Sequence, residues 1–218
     1  MSNRLKSNDR FANPELATVH VDADSEDLSR SEVLLKGALA AGAVYGTLAV
    51  GPFVRRALGA MGGGDVDILN FALTLEYLEA KFYEEAKSRA KASGELKSLV
   101  NLLASDEQQH VEALAATIKK LGGKPVAEPK FDFSYSATGG FLKLAQTFED
   151  TGVSAYDGAA PMIKSPDTLA AAGAIAQVEA RHAAAIRLLR GENPTRGAFE
   201  PTLSKAKVLE AVKPFVTG

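Results

Sequence analysis

Two copies of one pattern, Glu-x-x-His, stand out in the chain: Glu107-Gln108-Gln109-His110 and Glu179-Ala180-Arg181-His182. The chain has three histidines, and two of them follow a glutamate by three residues. Residues three apart on a helix share a face, so each pattern aims a carboxylate and an imidazole at one point. The chemistry such a pair performs best is holding a divalent metal ion.

The face they share sharpens that reading. Val100, Leu103, Glu107, His110, Leu114 and Leu121 fall at heptad-like spacing, as do Ala172, Ile175, Glu179, His182, Ile186 and Leu189. In both runs Glu and His hold positions that should be apolar and buried. A buried carboxylate without a partner costs several kcal/mol, comparable with a whole domain's net stability.

Upstream, the pattern repeats again. Ala72-Leu73-Thr74-Leu75-Glu76 parallels Ala145-Gln146-Thr147-Phe148-Glu149, and Tyr83 and Tyr156 each follow seven residues later. Seven residues is nearly two helical turns, so each tyrosine lies on its glutamate's face. Glu76 precedes Glu107 by 31 residues and Glu149 precedes Glu179 by 30. Two equivalent hairpins about a pseudo-twofold axis would gather Glu76, Glu107, His110, Glu149, Glu179 and His182. Four carboxylates and two imidazoles suit two iron or two manganese ions, and zinc fits such a set less well. In that arrangement Glu107 and Glu179 bridge, Glu76 and His110 complete one ion, and Glu149 and His182 the other. Tyr83 and Tyr156 would orient ligand carboxylates or act as redox-active phenols, or serve as ordinary core tyrosines. Glu79 lies one turn from Glu76, but its counterpart is Gly152, so the duplication argues against it as a ligand. Glu84, Glu85 and Glu112 read as solvated.

The elements that must position these groups are helical. Asp65 or Asp67 can cap a first helix running to about Ser93, with Gly94 as the break. A second runs from about Glu95 to Leu121 and stops at Gly122-Gly123-Lys124-Pro125. A third runs from about Thr138 to Met162. Ser165-Pro166 starts a fourth that ends near Arg190. A short helix spans about Ser204 to Val212, with Phe199 and Phe215 expected to dock it. Short, long and short connections describe an all-α, ferritin-like four-helix bundle: two antiparallel hairpins joined by a long crossover, over residues 65–190. Residues 191–218 form a C-terminal extension.

Composition agrees. The 218 residues are 46% hydrophobic and 24% charged, with a net charge of -2, which gives no footing for nucleic acid. With no cysteine, disulfides and thiolate sites are excluded. Residues 1–64 are a separate region: a polar tail carrying His20, then an uncharged stretch at 37–54 and a glycine linker. That stretch has the character of an export signal or membrane anchor, favoured here over a soluble helix in a cytoplasmic protein.

Taken together, residues 65–190 resemble the ferritin-like superfamily, and in particular its bacterial ferritin-like or desiccation-related members. Ser29-Arg30-Ser31-Glu32-Val33-Leu34 is similar to a twin-arginine signal, with Ser31 where the second arginine belongs. The resemblance implies a dimetal site that handles iron, dioxygen or peroxide. It also implies that Asp106 holds the second nitrogen of His110, whereas Val178 takes the equivalent place before His182. No rubredoxin-type cysteine module supplies electrons. Two function classes follow. One is an oxidoreductase of ferroxidase, peroxidase or catalase type, using peroxide, dioxygen or Fe(II). The other is a non-catalytic stress-related helical protein whose metals are structural. A homo-oligomer is compatible with either, and a large storage cage less so.

Overall fold

A computed structural model describes residues 64–135 and 137–217. The readings for the polar tail, His20 and the apolar stretch at 37–54 fall outside those residues. Among the described residues, no helix is long and apolar enough to cross a membrane.

Among the described residues, four long helices and one short one carry the fold: α1 Asp65–Arg89, α2 Gly94–Lys120, α3 Thr138–Ala159, α4 Pro166–Leu189 and α5 Lys205–Val212. Helix α1 has Asp65 and Asp67 in its first turn and Lys87 and Arg89 in its last, the polarity a helix dipole favours. The expected aspartate cap is absent, because Gly64 takes the cap position. Asp65 instead accepts hydrogen bonds from the backbone N–H groups of Lys164 and Ser165, both at 2.8 Å. That contact ties the start of α1 to the start of α4. Helix α1 also ends at Arg89, earlier than expected. The turn runs through 90–93, with Lys91 at φ 49°, and Gly94 opens α2 at φ 54°. Both are left-handed conformations, which glycine adopts at little cost and lysine does not.

The later boundaries follow their sequence signals. Pro161 cannot donate a backbone hydrogen bond, and α3 gives way to a 3-10 turn at Ala160–Met162. Ser165 caps α4 by accepting from Thr168 N–H at 3.3 Å, with Pro166 at the first helical position.

α1 packs chiefly on α2, and α3 on α4, forming two hairpins. The crossover at 121–137 is pinned at both ends. Asn70 donates to Lys124 O and accepts from Val126 N–H, while Arg89 donates to Phe133 O. The residues after α5 then pair with it: Asp132 N–H donates to Phe215 O, and Thr217 N–H to Lys130 O, both at 2.9 Å. Phe82 is the hub of the packing beneath, with Phe133, Phe141 and Phe148 all within 5.3 Å between ring centroids. Phe215 joins it through Phe148 at 4.9 Å. Each such ring, fully buried, stabilises the fold by about 1.5–3 kcal/mol. Phe199, expected to dock α5, is 93% exposed and does not.

Along α2 the apolar packing falls into two layers. Val100, Leu103 and Ala104 lie in one, and Val111, Leu114 and Ile118 in the other. Glu107 and His110 occupy the interval between them.

Candidate metal centre

The four glutamates of the duplicated pattern come one from each long helix, and all four are fully buried. His110 and His182 are 8% and 4% exposed. Their rings lie 6.2 Å apart. Two overlapping groups result: Glu76, Glu107, His110 and Glu179 in one, Glu107, Glu149, Glu179 and His182 in the other. In each, one donor atom per residue lies within 4.8 Å of all the others. Glu107 and Glu179 belong to both groups, Glu76 with His110 to the first only, and Glu149 with His182 to the second only.

Both histidines turn Nδ1 inward. His110 Nδ1 lies 3.2 Å from Glu76, 3.0 Å from Glu107 and 3.0 Å from Glu179. His182 Nδ1 lies 2.9 Å from Glu107 and 3.4 Å from Glu149. Several of these approaches lack hydrogen-bond alignment. Glu107 Oε1 and His182 Nδ1, although 2.9 Å apart, satisfy no hydrogen bond, nor do Glu149 Oε2 and both oxygens of Glu179. Lone pairs that converge on a point without donating to one another are what a ligand shell requires. With only oxygen and nitrogen donors, the set suits a hard or borderline ion.

The tyrosines cross the pseudo-twofold axis. Tyr83, on α1, donates to Glu149 Oε1 on α3, and Tyr156, on α3, donates to Glu76 Oε1 on α1 at 2.5 Å. Each phenol takes one oxygen and leaves the other facing a histidine. Burial and the adjacent carboxylates push both phenols well above their usual range, which keeps them neutral donors.

The histidine partner differs from expectation in the same way. Asp106 Oδ2 lies 3.2 Å from His182 Nε2, across the bundle, and not against His110 on its own helix. Residue 106 immediately precedes Glu107, so it projects toward α4. The pseudo-twofold symmetry of the repeat predicts the corresponding position of Val178, which precedes Glu179, on the side of His110. His110 Nε2 has no hydrogen-bond partner among the described residues. The histidine lacking an orienting carboxylate is therefore His110.

Electrostatics follow from burial. Removal from water raises Glu76 and Glu149 well above the carboxylate range, and the charge of Glu179 adds to this. Burial alone would also raise Glu179, but the close approach of the His110 and His182 imidazoles holds it at about 2. Burial would lower both imidazoles, yet the surrounding carboxylates overcome it. They raise His110 to about 12 and raise His182 as well. Without metal, then, protons occupy the centre in place of cations.

Beside the centre, Arg187 is buried and pairs with Asp150, the residue after Glu149, and Arg196 joins the same aspartate at 3.0 Å. This network fixes α3 to α4, and the helical pattern gave no sign of it. Glu79 is also buried, at 2% exposure, where sequence symmetry had set it aside as a ligand.

A helical bundle with carboxylates and histidines gathered at its centre defines a class of protein, and the comparisons place the chain within it. The ferritin-like domain family matches residues 64–192, and the chain belongs to that family. Among solved structures, it is similar to the crystal structure of a conserved hypothetical protein from Mycobacterium tuberculosis. The match has a TM-score of 0.53 at 17% identity, over 62% of this chain and 96% of that one. That likeness speaks for the fold alone. None of the curated proteins compared with the chain matches it.

Proposed function

We propose that the chain is a ferritin-like metalloprotein holding two iron or manganese ions, with Glu107 and Glu179 shared between them. Glu76 and His110 would complete one ion, and Glu149 and His182 the other. The observation that carries this reading is the set of fully buried carboxylate oxygens that converge without hydrogen bonds. When bound, such a pair supplies two-electron redox chemistry toward peroxide, or oxidises Fe(II) with dioxygen or peroxide.

The chain's own residues prepare that chemistry. Tyr83 and Tyr156 each fix one oxygen of Glu149 and Glu76, so the second oxygen points inward. Asp106 fixes His182 through Nε2 and frees Nδ1. Tyr83, Leu103 and the phenylalanines around Phe82 keep bulk water from one side of the centre. Consumption of hydrogen peroxide would make the protein protective under oxidative or drying stress.

Elemental analysis after anaerobic loading tests the centre, with two ions per chain expected; zinc alone, or less than one ion, refutes it. Turnover of hydrogen peroxide or Fe(II) by the iron-loaded and manganese-loaded protein tests the chemistry. The second reading, metals that only brace the bundle, draws on the closure of the site, whose six ligand residues are all at most 8% exposed. Two bound ions with no turnover of either substrate would leave that reading standing.

A further inference from the structure

We propose that Glu79 is a seventh metal ligand, serving the ion held by Glu149 and His182, in a space left by the absent side chain of Gly152. The inference rests on the dimetal reading above and adds a residue to it.

Glu79 sits one turn after Glu76 on α1 and is buried at 2% exposure. Its Oε2 atom is inaccessible to water and has no hydrogen-bond partner. No arginine, lysine or histidine approaches it within ion-pair distance among the described residues. A charged carboxylate so placed has no reason to persist in a metal-free core, since burial strongly disfavours its charged form.

Gly152 explains how it fits. A Cβ at Gly152 would stand 3.2 Å from Glu79 Oε1 and 3.7 Å from Glu179 Oε2. Both carboxylates therefore border the volume that the missing side chain leaves open. The asymmetry of the repeat, Glu79 on α1 against Gly152 on α3, is complementary: one half contributes an extra carboxylate, and the other makes room for it.

The oxygen of Glu179 nearest that space identifies the ion. Glu179 Oε1 lies 3.0 Å from His110 Nδ1, while Glu179 Oε2 lies toward His182 Nδ1, at 3.8 Å. Glu79 therefore borders the half that contains Glu149 and His182, outside the four residues whose donor atoms already lie within 4.8 Å of one another, and a change of its side-chain rotamer would carry an oxygen toward that ion. It also lines a narrow cleft between α1, α3 and α5, walled by Leu78, Phe148, Thr151 and Val212, and it is the one titratable group there. The same half has its histidine oriented by Asp106. The two ions are thus held unequally, the second by an additional carboxylate and a braced imidazole.

The test is a titration of the metal-free full chain with Co(II), followed by visible absorption and by competition with a chelator. Glu79→Gln keeps the volume and removes the charge. It should weaken one of the two ions by tenfold or more and alter the absorption bands of that ion, leaving the other unchanged. Gly152→Ala, which favours the helix and crowds Glu79 Oε1, should reproduce the spectral change in a folded protein. If both variants bind two ions as the wild type does, with unaltered spectra, Glu79 is a neutral buried acid and the proposal is overturned while the six-residue centre stands. If the wild type takes up no pair of ions, the centre itself fails and Glu79 loses its role with it.

Discussion

Replacing Asp106 by asparagine should divide the two ions proposed for the centre. The 3.2 Å contact with His182 Nε2 is the bond that holds that ring with Nδ1 inward. Asp106 has a side-chain exposure of 27% and His182 of 5%, so the pair is shielded but not dry. Losing an orienting carboxylate of this kind weakens metal binding about 10- to 100-fold, or about 1.4–2.7 kcal/mol. His110 has no corresponding partner, so the first ion should change by no more than about twofold, the scatter expected of uncoupled positions. Competition between the protein and a chelator for Mn(II), fitted to two classes of site, reads both numbers. One class should weaken and the other hold. An equal loss in both classes, or none in either, would refute the assignment of Asp106 to His182. Val178→Asp is the mirror experiment: a carboxylate there should tighten the class that contains His110, whose Nε2 is otherwise without a partner.

Metal removal should lower Tm, and the gap should widen as pH rises from about 5 to 8. In the metal-free protein Glu76 and Glu149 lie well above the reference value of 4.5, and His110 lies at about 12 against 6.5. Groups raised on folding contribute stability below their unfolded pKa and lose it as pH climbs toward the folded one. Glu179, lowered to about 2, contributes above 4.5 and loses its share only in acid, outside this window. Bound metal displaces the protons and so escapes the loss; a gap that narrows with pH in thermal melts would contradict this. Glu107→Ala and Glu179→Ala should each abolish peroxide or Fe(II) turnover while Glu76→Ala leaves one ion bound, as paired activity and metal assays would read. Tyr83→Phe and Tyr156→Phe should reduce turnover without abolishing it if the phenols only orient Glu149 and Glu76; complete loss with both ions retained would instead assign the phenols a redox role.

What could be read from the chain alone divides along a physical line. Helical periodicity reports which face a side chain occupies, so the convergence of six buried carboxylate and histidine residues and the hairpin order were legible from Glu-x-x-His, its upstream glutamate and the Gly-Pro stops. Periodicity does not report which neighbour lies across the interface. Asp106 therefore looked like a partner for His110 on its own helix, and Tyr83 like a companion of Glu76, when both cross to the other hairpin. Asp65 likewise carried the sequence mark of a helix cap and instead serves α4. Glu79 was obscured for another reason. Its environment depends on an atom that Gly152 lacks, and an internal repeat read as strict symmetry hides such a complement. Phe199 illustrates the limit of hydrophobicity as a guide outside regular structure, since no helical period at 191–203 assigns it a face.

The pairing of residues 215–217 with the crossover at 130–132 has a consequence for the order of assembly. Each helical hairpin closes through contacts near in sequence, which form early and fast. The clasp on the crossover joins segments some eighty residues apart, so it must wait until residue 217 has left the ribosome. Until then Phe133 and Phe148 lack the ring of Phe215 that covers them, and an aromatic patch faces water. Nascent chains paused before residue 215 would therefore be the species that chaperones hold and that aggregation removes. Deleting residues 215–217 would change the yield of folded protein before it changed anything at the candidate metal centre.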